Sequence, residues 1–212
     1  MSFTQTESAG YFDTERRDML AELEPPYGRV LDVGCGAGAT ARALRAAGAG
    51  PLVGVEPTAA AAALARDVFD ELHEGPVEEV LGSGALSGPF DSILLYDVLE
   101  HLVDPAAVLN ALRPLAAAGA RVHISVPNAR HWTLIRDLLL RGTFGYTEWG
   151  HRDATHLRWF TRRDLEQLVT AAGYRVERST GGVLGHNVTV NRLTFGRLEE
   201  LLALQWHVLA RA

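Results

Sequence analysis

The chain has no lysine. All 20 of its basic residues are arginine, and arginine stays protonated in proteins, so histidine is the one basic side chain that can accept a proton. The absence excludes chemistry that needs a lysine amine, such as a Schiff base or the phosphate grip of a P-loop lysine. Cysteine is nearly absent too. Cys35 stands alone, which excludes an intrachain disulfide and a multi-cysteine zinc site. No apolar run approaches the ~18 residues needed to span a bilayer, and the polar opening MSFTQTESAG lacks an apolar signal core. A cytoplasmic protein without membrane contact is expected.

What remains is enough for a packed core. The 212 residues are 47% hydrophobic and 22% charged, which suits one domain over residues 1–212. The formal net charge of −6 argues against nucleic acid as the main partner, since a basic face would be expected. The composition leaves the oligomeric state open.

Apolar spacing predicts a helix over 11–23 in an N-terminal segment, 1–26, that Pro25-Pro26 stops. Strands are expected over 29–33, 52–55, 71–74, 91–96, 121–126 and 174–178. Helices are expected over 39–47, 58–69, 104–115, 131–141, 161–172 and 193–202. Residues 204–210 read equally as a last strand or a continuing helix. Strands that alternate with helices of about ten residues imply an α/β fold with a mostly parallel sheet. Right-handed crossovers then put the ligand crevice beyond the C-terminal strand ends.

One such strand end carries the clearest motif. Val30-Leu-Asp-Val-Gly-Cys-Gly-Ala-Gly38 follows a strand and precedes a helix. Gly34, Gly36 and Gly38 let the backbone turn tightly and approach a ligand with no Cβ in the way. Glu56 ends the next strand, 22 positions after Gly34, where a carboxylate can accept hydrogen bonds from both hydroxyls of a ribose. A nucleoside cofactor is therefore expected. Ala39 stands where the third glycine of the dinucleotide fingerprint would be. Asp32, two residues before the first glycine, disfavours a pyrophosphate and suits a ligand with an amino group and a positive sulfur.

Together with VGVEP, FDSILLYDVLEHLVDP and the stretch from Gly119 to Pro127, this loop resembles the motif series of class I S-adenosylmethionine-dependent methyltransferases. The resemblance covers residues 11–212. It implies a Rossmann-like doubly wound sheet of about seven strands, mostly parallel with an antiparallel last strand, plus an N-terminal helix and an acceptor-side lid at 129–161. It implies S-adenosylmethionine as cofactor and S-adenosylhomocysteine as product. Asp32, Gly34, Cys35 (by its backbone), Gly36 and Gly38 would surround the methionine moiety. Glu56 would hold the ribose, with Pro57 beside the adenine and Tyr96 near the sulfonium. Pro76 stands where the family usually has an aspartate at the adenine amine, so the backbone of Val77 or Glu78 would substitute. Arg16 would reach the cofactor carboxylate or lie exposed.

The acceptor is expected to meet the segment from Tyr146 to Phe160, where histidines and aromatics crowd together. Without lysine, the candidate bases are His151 or His156, with Asp153 orienting the base. Tyr146, Arg158 and His101 are candidate acceptor contacts. His156 could equally tie the loop to the sheet. His151-x-Asp153-x-x-His156 could hold a divalent metal, but loop histidines with no further ligand in view leave the expectation at no metal. The segment D-x-x-H-x-R-x-F-T, Asp153 to Thr161, is similar to that of many sugar and natural-product methyltransferases. The expected activity is methyl transfer to a small-molecule hydroxyl. The alternatives are a non-catalytic cofactor-binding partner protein and a nicotinamide-dependent oxidoreductase.

Overall fold

The structure, a computed structural model, describes residues 17–20, 22–23, 25–148 and 150–212. Of the helix expected over 11–23, Arg17–Leu20 form α1, while Glu22 and Leu23 lie in a turn outside any helix. Residues 11–16, Arg16 among them, Ala21 and Trp149 lie outside the described residues. The chain continues as β1 (Val30–Val33), α2 (Ala39–Ala46), β2 (Leu52–Glu56), α3 (Ala59–Ala65), β3 (Glu71–Glu74), α4 (Val77–Gly82) and β4 (Phe90–Tyr96). Next come α5 (Pro105–Leu112), β5 (Ala116–Pro127), α6 (Trp132–Arg141), α7 (Arg162–Ala171) and β6 (Arg175–Gly182). The last elements are α8 (His186–Leu193), α9 (Glu199–Leu202) and β7 (Gln205–Arg211).

Among the described residues, seven strands make one sheet in the order β3-β2-β1-β4-β5-β7-β6. The pairs from β3 to β5 are parallel. β7 is antiparallel to both of its neighbours. From β1 the chain steps outward to β2 and β3, then crosses back to β4 on the other side of β1. That reversal opens a crevice at the C-terminal ends of β1 and β4.

Strand alternation splits the core into two layers. Leu31, Val33, Ile93, Leu95, Val122, Ile124, Trp206 and Val208 face α4, α5 and α7 in the larger apolar cluster. Val30, Leu52 and Leu94 face α1, α2 and α3, with Met19, Leu44 and Ala65 packed on them. Burying each large apolar side chain fully contributes about 1.5–3 kcal/mol.

The second face turns polar under β5, β7 and β6. There Ser125, His207 and Thr180 are aligned across the strands, and His123 is fully buried. The Tyr96 hydroxyl lies 3.0 Å from His123 Nδ1. Glu22, just past α1, covers this patch. It accepts from Arg178 at 3.1 Å and from the Thr180 hydroxyl at 3.1 Å, and it lies 3.4 Å from His207 Nδ1.

Several elements depart from the sequence expectations. α5 stops at Leu112 and the chain runs on as a single 3-10 turn, Arg113–Leu115, because Pro114 has no N–H to continue the helix. The helix expected over 193–202 is instead two helices, α8 and α9. Phe195 and Gly196 between them take left-handed angles, φ 54° and 76°, which a helix cannot contain. α4 was not expected at all. Residues 204–210 resolve as a strand, β7.

Candidate active site

A cavity of about 1240 Å³ opens at the crevice between β1 and β4. One half is walled by the glycine loop, Glu56, Pro57 and the start of α4. The other half is walled by Asp97, Glu100, His101, His151, Asp153 and His156.

The glycine loop is held from β2. The amides of Gly34 and Cys35 both donate to the Val55 carbonyl, at 2.8 and 3.1 Å. Gly34 has φ +69°, and a Cβ on it would lie 2.7 Å from Val98 Cγ2. The close packing thus forbids a side chain there twice over, by angle and by space. Glu56 completes the loop. One carboxylate oxygen accepts from the Gly36 amide at 2.8 Å and the other from the Thr58 amide at 2.9 Å.

Asp32 lies beneath this loop, 3% exposed. Its Oδ2 meets no hydrogen-bond donor among the described residues. Burial, and secondarily the nearby Glu56 charge, push its pKa up from 3.8 to about 7. A buried carboxylate in a cavity wall is a receptor for a cation or a hydrogen-bond donor. The Cys35 thiol is also pushed up, chiefly by burial and then by Asp32 and Glu56. It therefore stays a protonated, unreactive thiol.

The cofactor-side candidates fall as follows. Asp32, Gly34, Cys35, Gly36, Glu56, Pro57, Val77 and Tyr96 line the cavity, with Pro76 and Glu78 beside Val77. Gly38 is not among the lining residues. It starts α2 at φ +82°, and a Cβ there would touch Ala65 and Val68 at 3.4 Å, so its local task is helix–helix packing.

On the acceptor side, residues 129–161 leave and rejoin the fold at one point. The Ala129 amide donates to the Phe160 carbonyl at 2.9 Å, beside a bridge between Asn128 and Phe160. The segment carries His151, Asp153 and His156 into the cavity wall. Asp153 is 1% exposed and accepts from both the amide and the hydroxyl of Thr155, each at 2.8 Å. The Thr155 hydroxyl in turn lies 3.2 Å from His101 Nδ1. The hydrogen-bond chain from Asp153 thus leads to His101 and reaches neither of the two loop histidines proposed as bases. The His101 and His156 rings meet edge to face, 4.8 Å apart. His151 Nε2 lies 3.4 Å from the Thr133 hydroxyl, which is 2.8 Å from His131 Nδ1.

Burial lowers the pKa of His101, His151 and His156, with His156 brought down to about 4. The positive charge of Arg152 adds to the drop at His151, and mutual repulsion with His101 adds to that at His156. All three imidazoles are therefore uncharged at neutral pH, the form that can accept a proton or bind a metal. One donor atom each from Glu100, His101 and His156 lie within 4.8 Å of one another, a donor set with the chemistry of a divalent-cation site.

Two acceptor-side candidates sit elsewhere. Arg158 is exposed and donates to the Val103 and Leu157 carbonyls. Tyr146 is 52% exposed and packs on the Phe144 ring at 4.7 Å. Neither is among the lining residues. Sequence reasoning passed over Asp97, Thr155 and Gln205, which do line the cavity. Asp97 directly follows β4, so the strand-end rule that singled out Glu56 would have found it as well.

A family described as methyltransferase domain matches residues 8–179 of the chain. The chain is 32% identical to the ubiquinone biosynthesis O-methyltransferase of Sodalis glossinidius over 183 residues, 79% of this chain and 72% of that protein. It is 30% identical to the enzyme of the same name from Thiobacillus denitrificans, over 78% of this chain and 70% of that one. Among solved structures, a SAM-dependent methyltransferase from Archaeoglobus fulgidus superposes with a TM-score of 0.70 at 17% identity, over 97% of this chain and 95% of that one. At that identity the likeness concerns the fold.

Proposed function

The chain belongs to the methyltransferase-domain family as a class I S-adenosylmethionine-dependent enzyme, and from that membership we propose that it methylates a hydroxyl of a small-molecule acceptor. The residues present fit the cofactor. Gly34 and Gly36 border the cavity without side chains, and Asp32 beside them has a buried oxygen with no hydrogen-bond donor among the described residues. Bound there, S-adenosylmethionine supplies a methyl group already activated on a positive sulfur.

The protein's own share is binding, orientation and proton removal. Asp32 meets the cofactor's amino group. Glu56 holds the ribose hydroxyls while keeping the Gly36 and Thr58 amides in place. Pro57 and the Val77 backbone border the adenine, and Tyr96 lies on the sulfonium side. His151 or His156 takes the proton from the acceptor hydroxyl as a neutral imidazole. The segment 129–161 acts as a lid that brings these histidines in and excludes water. The observation that carries the proposal is Asp32, a buried carboxylate lining the same cavity as three uncharged histidines. The relatives' name, O-methyltransferase, supports oxygen as the acceptor atom.

Titration calorimetry with S-adenosylhomocysteine should give saturable binding, weakened about tenfold or more by Glu56→Ala. Incubation with S-adenosylmethionine and a panel of hydroxyl metabolites should yield products heavier by one methylene. Removing the true base should slow turnover by about 10²–10⁴-fold. Near-normal turnover in both His151→Ala and His156→Ala would reject these histidines as bases.

A further inference from the structure

We propose that the molecule carries a second ligand site, separate from the cavity at β1 and β4: an arginine-lined depression at the far end of the sheet that binds the phosphate group of a small anionic ligand. The depression measures about 520 Å³ and is walled by Arg113, Arg175, Glu177, Arg211 and the turns at Gly119 and Gly173. Strands β5, β6 and β7 run between the two places. Pro127, Gly182 and Gln205 border the cavity at one end, and Gly119, Arg175 and Arg211 border the depression at the other. The length of β6, Arg175–Gly182, puts about 20 Å between them.

The arginines come from three elements and are held in place. Arg113 follows α5. Its Nε donates to the Gly173 carbonyl at 3.1 Å, and its guanidinium lies 5.5 Å from the centre of the Tyr174 ring, a cation–π contact. Arg175 opens β6 and stands directly opposite Arg211 of β7 across the ladder. Like charges so placed repel. Glu177 relieves this by bridging them: one carboxylate oxygen accepts from Arg175 Nη2 at 2.9 Å and the other from Arg211 Nε at 3.1 Å. Arg211 Nη1 also donates to the Gly119 carbonyl at 3.0 Å.

Both oxygens of Glu177, the acidic side chain of the lining, are thus engaged, and donors are left over. Arg113 Nη1 and Nη2, Arg175 Nε and Nη1, and Arg211 Nη2 have no hydrogen-bond acceptor among the described residues. Even with a carboxylate on the main chain of Ala212, the guanidiniums outnumber the carboxylates. That excess stands in a chain whose formal net charge is −6. A planar carboxylate is saturated by the fork of a single guanidinium. Donors spread over separate guanidiniums suit a tetrahedral group with several exposed oxygens and a double negative charge, which is a phosphate. Arg113 and Arg211 are already tied down by protein contacts, so little side-chain freedom is lost when the anion binds.

The test is titration calorimetry with inorganic phosphate at about pH 8, where it is mainly dianionic, against acetate at the same ionic strength. Phosphate should bind saturably, and acetate about tenfold or more weakly. Arg113→Gln and Arg175→Gln should each weaken phosphate binding severalfold, and the double variant about tenfold or more. Arg66→Gln, at an exposed arginine outside the depression, should leave it unchanged. The Arg175 side chain is 73% exposed, so Arg175→Gln keeps the fold and carries the test should Arg113→Gln fold poorly. Neither residue lines the cavity, so both variants should keep the parent's affinity for S-adenosylhomocysteine. A parallel loss of that affinity would overturn the separation of the two sites. Absence of saturable phosphate binding overturns the proposal, as does a phosphate affinity unchanged by Arg175→Gln or lowered equally by Arg66→Gln. Acetate binding as tightly as phosphate overturns the assignment to a phosphate group.

Discussion

Asp32 is a carboxylate whose ionisation the fold resists until a cation arrives. Its pKa near 7 lies above the value of 3.8 for the free side chain, so between these two the folded state binds a proton that the unfolded state does not. Stability therefore falls as pH rises from about 4 to about 7 and is level above that. Ligand binding runs the other way. An ammonium group favours the ionised carboxylate, so affinity for S-adenosylhomocysteine should rise between about pH 6 and pH 8 with release of a proton. Calorimetry in buffers of different ionisation enthalpy reads that proton directly. Asp32→Asn should bind more weakly and lose the pH dependence; a parent protein with flat affinity over this range would exclude ion pairing at Asp32. The positions of Asp32, Gly34, Gly36 and Glu56 were legible in the sequence because the motif is local: a strand, a turn and the end of the adjacent strand. The directions of Arg158 and Tyr146 were not. Segment similarity places a residue on a loop, while the carbonyls that capture Arg158 belong to Leu157 and Val103.

At the scale of elements, caps and breakers decide how well each boundary can be read. Thr161 and Asp164 form a reciprocal cap at the start of α7, and the spacing T-x-x-D announces it in the sequence. Thr161→Ala should cost about 1 kcal/mol in urea unfolding. It should leave S-adenosylhomocysteine affinity unchanged, since α7 packs against the sheet and Thr161 is not a lining residue. A large loss of binding would tie α7 to the cavity more closely than the packing indicates. α4 escaped notice because it has only six residues and ends in Gly82, too little for a periodic signal. The break between α8 and α9 escaped for a different reason. The left-handed turn at Phe195 carries a side chain that 3.6-residue spacing treats as apolar helix, yet it is 89% exposed.

The whole molecule adds what neither scale contains, above all the polar half of one sheet face. Glu22 meets Arg178, Thr180 and His207, residues more than 150 positions away, so no local pattern could have paired them. They come together because β7 and β6 lie beside β5 and turn their polar alternates toward α1. Glu22→Ala should destabilise the protein by about 1–3 kcal/mol, by stranding partly buried donors. It should shift the urea midpoint with little change in slope. A change below about 0.5 kcal/mol would mean that water replaces the carboxylate without loss.

The place of β7 also bears on how the sheet is completed. It is the last strand in chain order, yet it lies between β5 and β6. Until residues 205–211 are in place, β5 is an open edge and β6 has no partner in the sheet. β6 and β7 therefore have to form their antiparallel pair and close on β5 together, over contacts distant in sequence from β5, the kind that slow folding. A growing chain meanwhile presents the polar strip of β5, with Arg121, His123 and Ser125, at that edge. Inward-facing charged and polar residues on an unpaired edge discourage pairing with another copy. The histidine and serine buried in the finished fold would in that interval guard the edge against association.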